Sequence, residues 1–395
     1  MTTVRLGDIC KQARESIKPG DRPDLRYIGL ESIESCSGLF VDGVLSKTPE
    51  IPLANSFRFG SEHVLYGKLR PYLNKVATPT FEGKCSTEII PLLPCAGVDR
   101  AFLGYFLRSQ ATVDSISAKT AGARMPRADM DFVFSLTMPL PPLPEQCRIV
   151  DLLSRAEGIV RLRREAEKKA AELIPALFND VFGDPATNPK GWPVAKVGAL
   201  LVEPPTLGTM AKPSNTVGKW LDLRVANIQG GQLTLVDKKW LDLPDSQVAR
   251  FALKSGDMVL ARAIGSLDHL GKAVVLHPDG DWTFDSHLMR LRFDKAKLLP
   301  QVFKAFLEST SGRETFLKHT RRSAVQFNIN GKEIRQIEIA VPPMALQQGF
   351  WERTEDVRSI QSQQATATAK AKAAFDALLA RCFTPTAAIE GGSSN

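Results

Sequence analysis

The stretch Pro139-Leu140-Pro141-Pro142-Leu143-Pro144-Glu145-Gln146 returns as Ala340-Val341-Pro342-Pro343-Met344-Ala345-Leu346-Gln347. In both copies a double proline ends an extended segment, since a ring nitrogen has no proton for a sheet ladder, and a long helix opens behind it. In the first copy Pro144 sits just inside that helix, where a missing amide costs nothing, and Glu145 meets the positive helix end. The match spreads outward. Upstream, Glu62-His63-Val64-Leu65 is matched to Asp257-Met258-Val259-Leu260, Asn74-Lys75-Val76 to Gly271-Lys272-Ala273, and Tyr105-Phe106-Leu107 to Ala305-Phe306-Leu307. Downstream, the helix from Glu145 to Val181 is shadowed by that from Leu346 to Cys382. The offset drifts from 195 (Val64 to Val259) to 201 (Pro141 to Pro342), so loops have changed length while the order of elements held. A period this long means a duplicated domain, not a solenoid. Two similar units predict pseudo-two-fold symmetry, suited to a target that also has two halves.

With 395 residues the chain is too long for one core and fits two domains plus connecting helices. Hydrophobic residues at 43% and charged residues at 24% are those of an ordinary globular protein. The 51 Lys and Arg against 43 Asp and Glu give a net charge of +8, which leans toward a polyanionic partner. Six cysteines (Cys10, Cys36, Cys85, Cys95, Cys147, Cys382) form no CxxC pair and no zinc spacing, so reduced thiols in a cytoplasmic protein are expected. The N-terminus lacks the apolar core of a signal peptide, and no stretch reaches the roughly eighteen apolar residues of a membrane span.

The fold class expected is α+β: two similar mixed domains separated by a pair of long antiparallel coiled-coil helices. The division runs 1–143 for the first domain, 144–183 for its helix, 184–343 for the second domain, 344–383 for the second helix, and a disordered tail over 384–395. In the first domain Leu25–Leu30 and Glu88–Leu93 read as strands, and Ala101–Ser109 and Ala111–Lys119 as helices. In the second, Trp220–Val225, Asp257–Arg262 and Leu288–Phe293 read as strands and Gln301–Ser309 as a helix. Each domain closes on a strand, Phe132–Met138 or Ile334–Val341.

In the first long helix, apolar residues step by four and three through Ile149, Leu153, Ala156 and Val160, then resume at Ala170, Ile174, Leu177 and Val181. Arg163 and Glu167 break the seam with one polar layer. The second helix repeats this with Phe350, Thr354 and Val357, a polar centre from Gln361 to Thr368, then Ala371, Phe375, Leu378 and Cys382. Antiparallel pairing sets polar centre against polar centre, and about 38 residues at roughly 1.5 Å each make a rod of about 57 Å. Pro175 should kink the first helix near Ala171.

Catalytic chemistry has no visible residues. Glu203-Pro204-Pro205-Thr206 is the nearest string to the base-holding motif of an amino-methyltransferase and has the wrong ends. No GxxxxGK[ST] loop or HExxH pair occurs, and His63, His269, His277, His287 and His319 show no ligand spacing. A binding module is the supported class. An enzyme with an unrecognised methyltransferase or nuclease site, or a coiled-coil scaffold, stands as the alternative.

Taken together, Pro141 to Gln146 leading into a heptad helix, Leu177-Phe178-Asn179-Asp180-Val181-Phe182-Gly183-Asp184-Pro185 followed by Asn188-Pro189-Lys190-Gly191-Trp192, Gly67 to Leu73 and Leu223 to Ile228 resemble the DNA-specificity subunit of Type I restriction-modification enzymes. The second repeat departs in having Ala345-Leu346-Gln347 where the first has Pro144-Glu145-Gln146. The resemblance implies a protein without catalysis or cofactor of its own, whose two target-recognition domains each read one half of an asymmetric double-stranded DNA site. It implies partners as well: two adenine-N6 methyltransferase subunits that use S-adenosylmethionine, and two motor-nuclease subunits that use ATP and Mg.

DNA reading needs basic side chains for phosphates and forked or amide groups for base edges. The first domain offers Lys68, Arg70, Tyr72, Asn74 and Lys75 after a strand, and Arg124 and Arg127 in a glycine-containing loop. At the matching places the second offers Arg262, Ser266, His269 and Lys272, then Arg321, Arg322, Gln326 and Asn328. Arg70 and Arg262 can equally brace a fold the two units share, and Ser86-Thr87 with Ser286-His287 reads as scaffold. Arg124 and Arg127 against Gln326 and Asn328 predict different half-sites.

Overall fold

A computed structural model describes residues 2–41, 43, 54–122, 124–235, 237–277, 280–322 and 326–383; the tail expected over 384–395 lies outside them. The chain is α+β and divides into two compact units, Met1–Arg164 with Thr366–Asn395, and Glu165–Ala365. Both follow one plan. The first has an antiparallel sheet in the order Cys10–Gln12, Ile89–Pro94, Val64–Gly67, Val76–Ala77. The second has Thr206–Leu207, Leu288–Leu291, Met258–Ala261, Ala273–Val275. A further sheet in each contains one parallel pair, Arg26–Ile28 with Gly83–Ser86 and Trp220–Leu223 with Trp282–Phe284. The opening strand of each unit, Thr3–Arg5 or Val194–Lys196, pairs with the strand before its double proline, Thr137–Pro139 or Glu338–Ala340.

Ladder register corrects one stretch of the sequence match. Gly67 pairs with Ile89 and Ala261 with Leu288, so Val64 corresponds to Met258 and Leu65 to Val259, one residue from the alignment by similarity. These strands are buried along their whole length. With both faces covered there is no apolar–polar alternation to fix register.

Helices Arg100–Arg108 and Gln110–Ser117 cover the first sheet, and Pro300–Glu308 and Thr310–Lys318 the second. Phe102, Phe106 and Leu107 are buried in one core, Val302, Phe306 and Leu307 in the other. The Asp99 carboxylate caps the first of these helices by accepting from the Phe102 amide, whereas Pro300 opens its counterpart. Where strands were expected to begin at Phe132 and Ile334, short helices intervene. Asp129 accepts from the Asp131 and Phe132 amides and starts Met130–Ser135. Asn330 and Glu333 form a reciprocal capping box around Gly331–Ile334. Local caps therefore shorten the closing strands to three residues each.

The long helices are Leu143–Ala171, Leu173–Phe182 and Met344–Phe383. The break at Glu172 follows from Pro175, which has no amide for the Ala171 carbonyl. Within the first unit Cys382 lies in the field of Arg148 and Glu145, while Tyr105 donates to Glu157 at 3.0 Å and lies 6.5 Å from the Phe375 ring, so the helix segments there run antiparallel. Within the second, Gln361 Nε2 donates to the Ala170 carbonyl at 2.6 Å and the Phe350 ring sits 4.9 Å from Phe182, again antiparallel. The seam shifts slightly from expectation: Ile174, Phe178 and Phe182 are the buried residues, with Leu177 and Val181 at their edge.

Gln146 and Gln347, the last residues of the repeated motif, are both 0% exposed. Gln146 Oε1 accepts from the Asp99 amide at 2.8 Å, and its Nε2 donates to the Gly97 and Pro141 carbonyls at 2.9 Å each. Gln347 does the same with the Leu299 amide at 2.8 Å and the Lys297 and Pro342 carbonyls at 3.0 and 2.8 Å. Each clamps its long helix to the start of the helix that covers its sheet. Pro144 and Glu145 take no part in this clamp, which is why Ala345 and Leu346 can replace them.

Candidate nucleic-acid interface

In the first unit the two basic clusters, about fifty residues apart in sequence, form one surface. The Lys68 amide donates to the Glu88 carbonyl at 2.9 Å, the Ala128 amide to the Lys68 carbonyl at 2.8 Å, and the Arg70 amide to the Pro126 carbonyl at 2.7 Å. Leu69 forms a bridge with Arg127, whose strand Arg127–Ala128 pairs with Thr120–Ala121 as a hairpin. Arg70 (φ 52°) and Asn74 (φ 50°) are left-handed and flank the single turn Pro71–Leu73. For residues with a Cβ that conformation costs about 1–2 kcal/mol each. Between them Tyr72 is 54% exposed; Arg70, Arg124 and Arg127 are exposed and Lys68 half-buried.

The second unit joins its loops in the same way with more strand. Ala263–Ile264 pairs with Phe327–Asn328, which pairs with Arg321–Arg322. The Arg262 amide donates to the His287 carbonyl and the Ile329 amide to the Arg262 carbonyl, both at 2.9 Å. These bonds duplicate those of the first unit and fix the correspondence: Lys68 with Arg262, Glu88 with His287, Arg127 with Asn328. Arg70 is thus not the counterpart of Arg262, and Ser286 aligns with Thr87 instead of Ser86.

Several expected readers are occupied by their own scaffold. Asn74 is buried and its amide donates to the Arg108 carbonyl at 2.9 Å, and Lys75 Nζ donates to the Leu30 and Ile33 carbonyls at 2.6 and 2.8 Å. These bonds tie both side chains to their own scaffold, and Asn74 serves the left-handed position that Gly271 (φ 76°) fills in the second unit. Lys272, the counterpart of Lys75, lines a cavity of about 670 Å³ with Lys304, Glu308 and Arg358. Arg262 Nε donates to the Ser286 carbonyl at 2.9 Å. Ser266 is half-buried and His269 exposed. In the hairpin Arg321 pairs with Glu333, Arg322 stacks 5.5 Å over the Phe327 ring, Gln326 is exposed and Asn328 half-buried.

The sequence did not single out Glu88. Its carboxylate receives Arg127 Nε at 3.1 Å and Nη2 at 2.7 Å, and this hydrogen bonding holds Glu88 below the usual carboxylate range. Nor did it flag the ionic groups that shape the second unit. Arg292 is held by Asp257 at 2.7 Å, and Arg290 by Glu203 at 2.7 Å. Asp222 is 2% exposed with neither carboxyl oxygen hydrogen-bonded, and burial, with Asp285 nearby, pushes it up to about 7. Among the described residues no cluster of His, Cys, Asp and Glu could hold a metal, and no helix is long and apolar enough to cross a membrane.

Residues 1–172 match the model of the Type I restriction modification DNA specificity domain. The chain is similar to the specificity subunits of type I restriction enzymes EcoKI of Escherichia coli (strain K12), 24% identical over 300 residues, and StySPI of Salmonella potsdam, 23% identical over 303 residues. Each alignment covers 71% of this chain and 64% of the relative, so less than two thirds of those subunits is spanned. Among solved structures it shares its fold with a chain of a type I R-M system (TM-score 0.60, 20% identity, 96% of this chain and 97% of that one). The type I restriction-modification S subunit of M. genitalium is also similar (TM-score 0.51, 13% identity, covering 98% and 96%).

Proposed function

We propose that this chain, whose residues 1–172 match the model of the Type I restriction modification DNA specificity domain, is the non-catalytic subunit that selects the DNA sequence for a methyltransferase and endonuclease assembly. The observation that carries this reading is the duplicated surface: in each unit the same backbone bonds join the same two loops, while the side chains displayed differ. A shared frame with divergent side chains suits two recognition domains, 1–143 and 184–343, that each read one half of a bipartite double-stranded site. Lys68, Arg70, Tyr72, Arg124 and Arg127 form the first reading surface; Arg262, Ser266, His269, Arg321, Arg322, Gln326 and Asn328 form the second. Helices 144–183 and 344–383, paired as a coiled coil, set the gap between the halves.

The first long helix also exposes Leu152, Ile159 and Leu162 at 42%, 52% and 60%, and Ile360 at 49% occupies the place of Ile159 in the second. A repeated apolar position suits two copies of one partner, the methyltransferase subunits, which bring S-adenosylmethionine; two motor-nuclease subunits bring ATP and Mg. The test is to assay the isolated chain and the chain with its methyltransferase for methyl transfer. Silence alone and adenine methylation within one bipartite motif together support the reading; methyl transfer or cleavage by the chain alone overturns it.

A further inference from the structure

We propose that Arg127, aimed by Glu88, reads a guanine in the first half-site, and that Glu88 is therefore a positioning residue for recognition. This rests on the DNA-reading function proposed above. Glu88 occupies the Nε and Nη2 edge of the guanidinium. An arginine has five N–H donors in a fixed plane, so the end formed by Nη1 and the remaining Nη2 proton stays available as a fork. Two parallel donors match O6 and N7 of guanine in the major groove, the commonest forked contact to a base. The side chains are accessible enough for this, at 45% exposure for Arg127 and 24% for Glu88.

The fold does not require the pair. An ion pair this open to water contributes little to stability, and the Arg127 backbone is already fixed by the hairpin and the Leu69 bridge. The second unit closes the same loops with His287 and Asn328 in those two places. A carboxylate at a surface meant for phosphates also opposes DNA binding in general. Holding one guanidinium in one plane is the service that offsets this.

The experiment uses the chain assembled with its methyltransferase, on duplexes substituted base by base through the motif that methylome sequencing identifies. The wild-type complex should demand a guanine at one position of the half-site lost when Arg127 is replaced. Arg127→Ala should cut discrimination there by about 10- to 100-fold and leave the other half-site unchanged. Glu88→Gln should lower discrimination at that same position by a smaller factor and raise affinity for unrelated DNA, a combination that simple misfolding does not give. Arg127→Lys, which keeps charge and loses the fork, should behave like Arg127→Ala in discrimination. Equal loss on all sequences with a reduced salt slope would make Arg127 a phosphate contact and overturn the inference. Unchanged discrimination would do so too. A wild-type complex that recognises no motif would instead refute the function on which the inference rests.

Discussion

Gln146 and Gln347 do one job in two places, whereas Arg127 and Asn328 occupy one place and carry different chemistry. The glutamines are buried and each satisfies one amide and two carbonyls. A shorter or apolar side chain would break all three bonds and leave the buried Pro141 or Pro342 carbonyl without its partner, so the two copies stay alike. The loop residues stand on a ladder held by backbone bonds, which tolerates any side chain that faces solvent. The contrast teaches that the two copies share the side chains that bond buried backbone and differ where a side chain stands on a backbone ladder facing solvent.

The largest effects should come from the aromatic contacts that seat the long helices. Phe350→Ala removes a ring lying 6.0 Å from Phe178 and 4.9 Å from Phe182, and Phe383→Ala one lying 5.0 Å from Phe102 and 5.6 Å from Phe106. Each should cost about 3–5 kcal/mol in chemical denaturation. A loss at one ring and none at the other would mean that only one unit depends on its contact with the long helix. Next, Gln146→Leu and Gln347→Leu should each destabilise by about 2–4 kcal/mol, since three polar groups lose their partners. Values within about 1 kcal/mol of each other would sharpen the claim that the clamps are the same device.

A smaller effect distinguishes the units by pH. Asp222 in the second unit has a folded pKa raised to about 7 from an unfolded value of about 4. Between those values the native state holds the extra proton, so stability declines as pH rises through that window and levels off above it. Asp222→Asn should flatten this dependence and raise stability at pH 8 by on the order of 2 kcal/mol. An unchanged pH profile would mean that the carboxyl finds a partner on folding.

Much of this comparison was legible in the sequence. The double proline, the helix start and the glutamine announced the duplication, because those residues are fixed by backbone chemistry that recurs wherever the same junction is built. The α+β character and the strands at Leu25–Leu30, Glu88–Leu93, Trp220–Val225, Asp257–Arg262 and Leu288–Phe293 followed from short apolar runs. Register did not, since Val64–Gly67 and Met258–Ala261 are buried on both faces and carry no alternation. The internal bonds of Asn74 and Lys75 were not legible, because amide and ammonium groups suit a carbonyl of their own chain as well as a base or phosphate. Glu88 went unseen for a complementary reason: its meaning depends on Arg127, 39 residues away, across a contact that only folding creates.

The proposed roles of the long helices as spacer and of the loop surfaces as DNA readers are tested most directly by inserting one heptad after Lys169 and sequencing the methylome of cells that express the altered chain with its methyltransferase. Both half-site sequences should persist while the gap between them changes. An unchanged gap, or a motif whose bases change, would contradict the account.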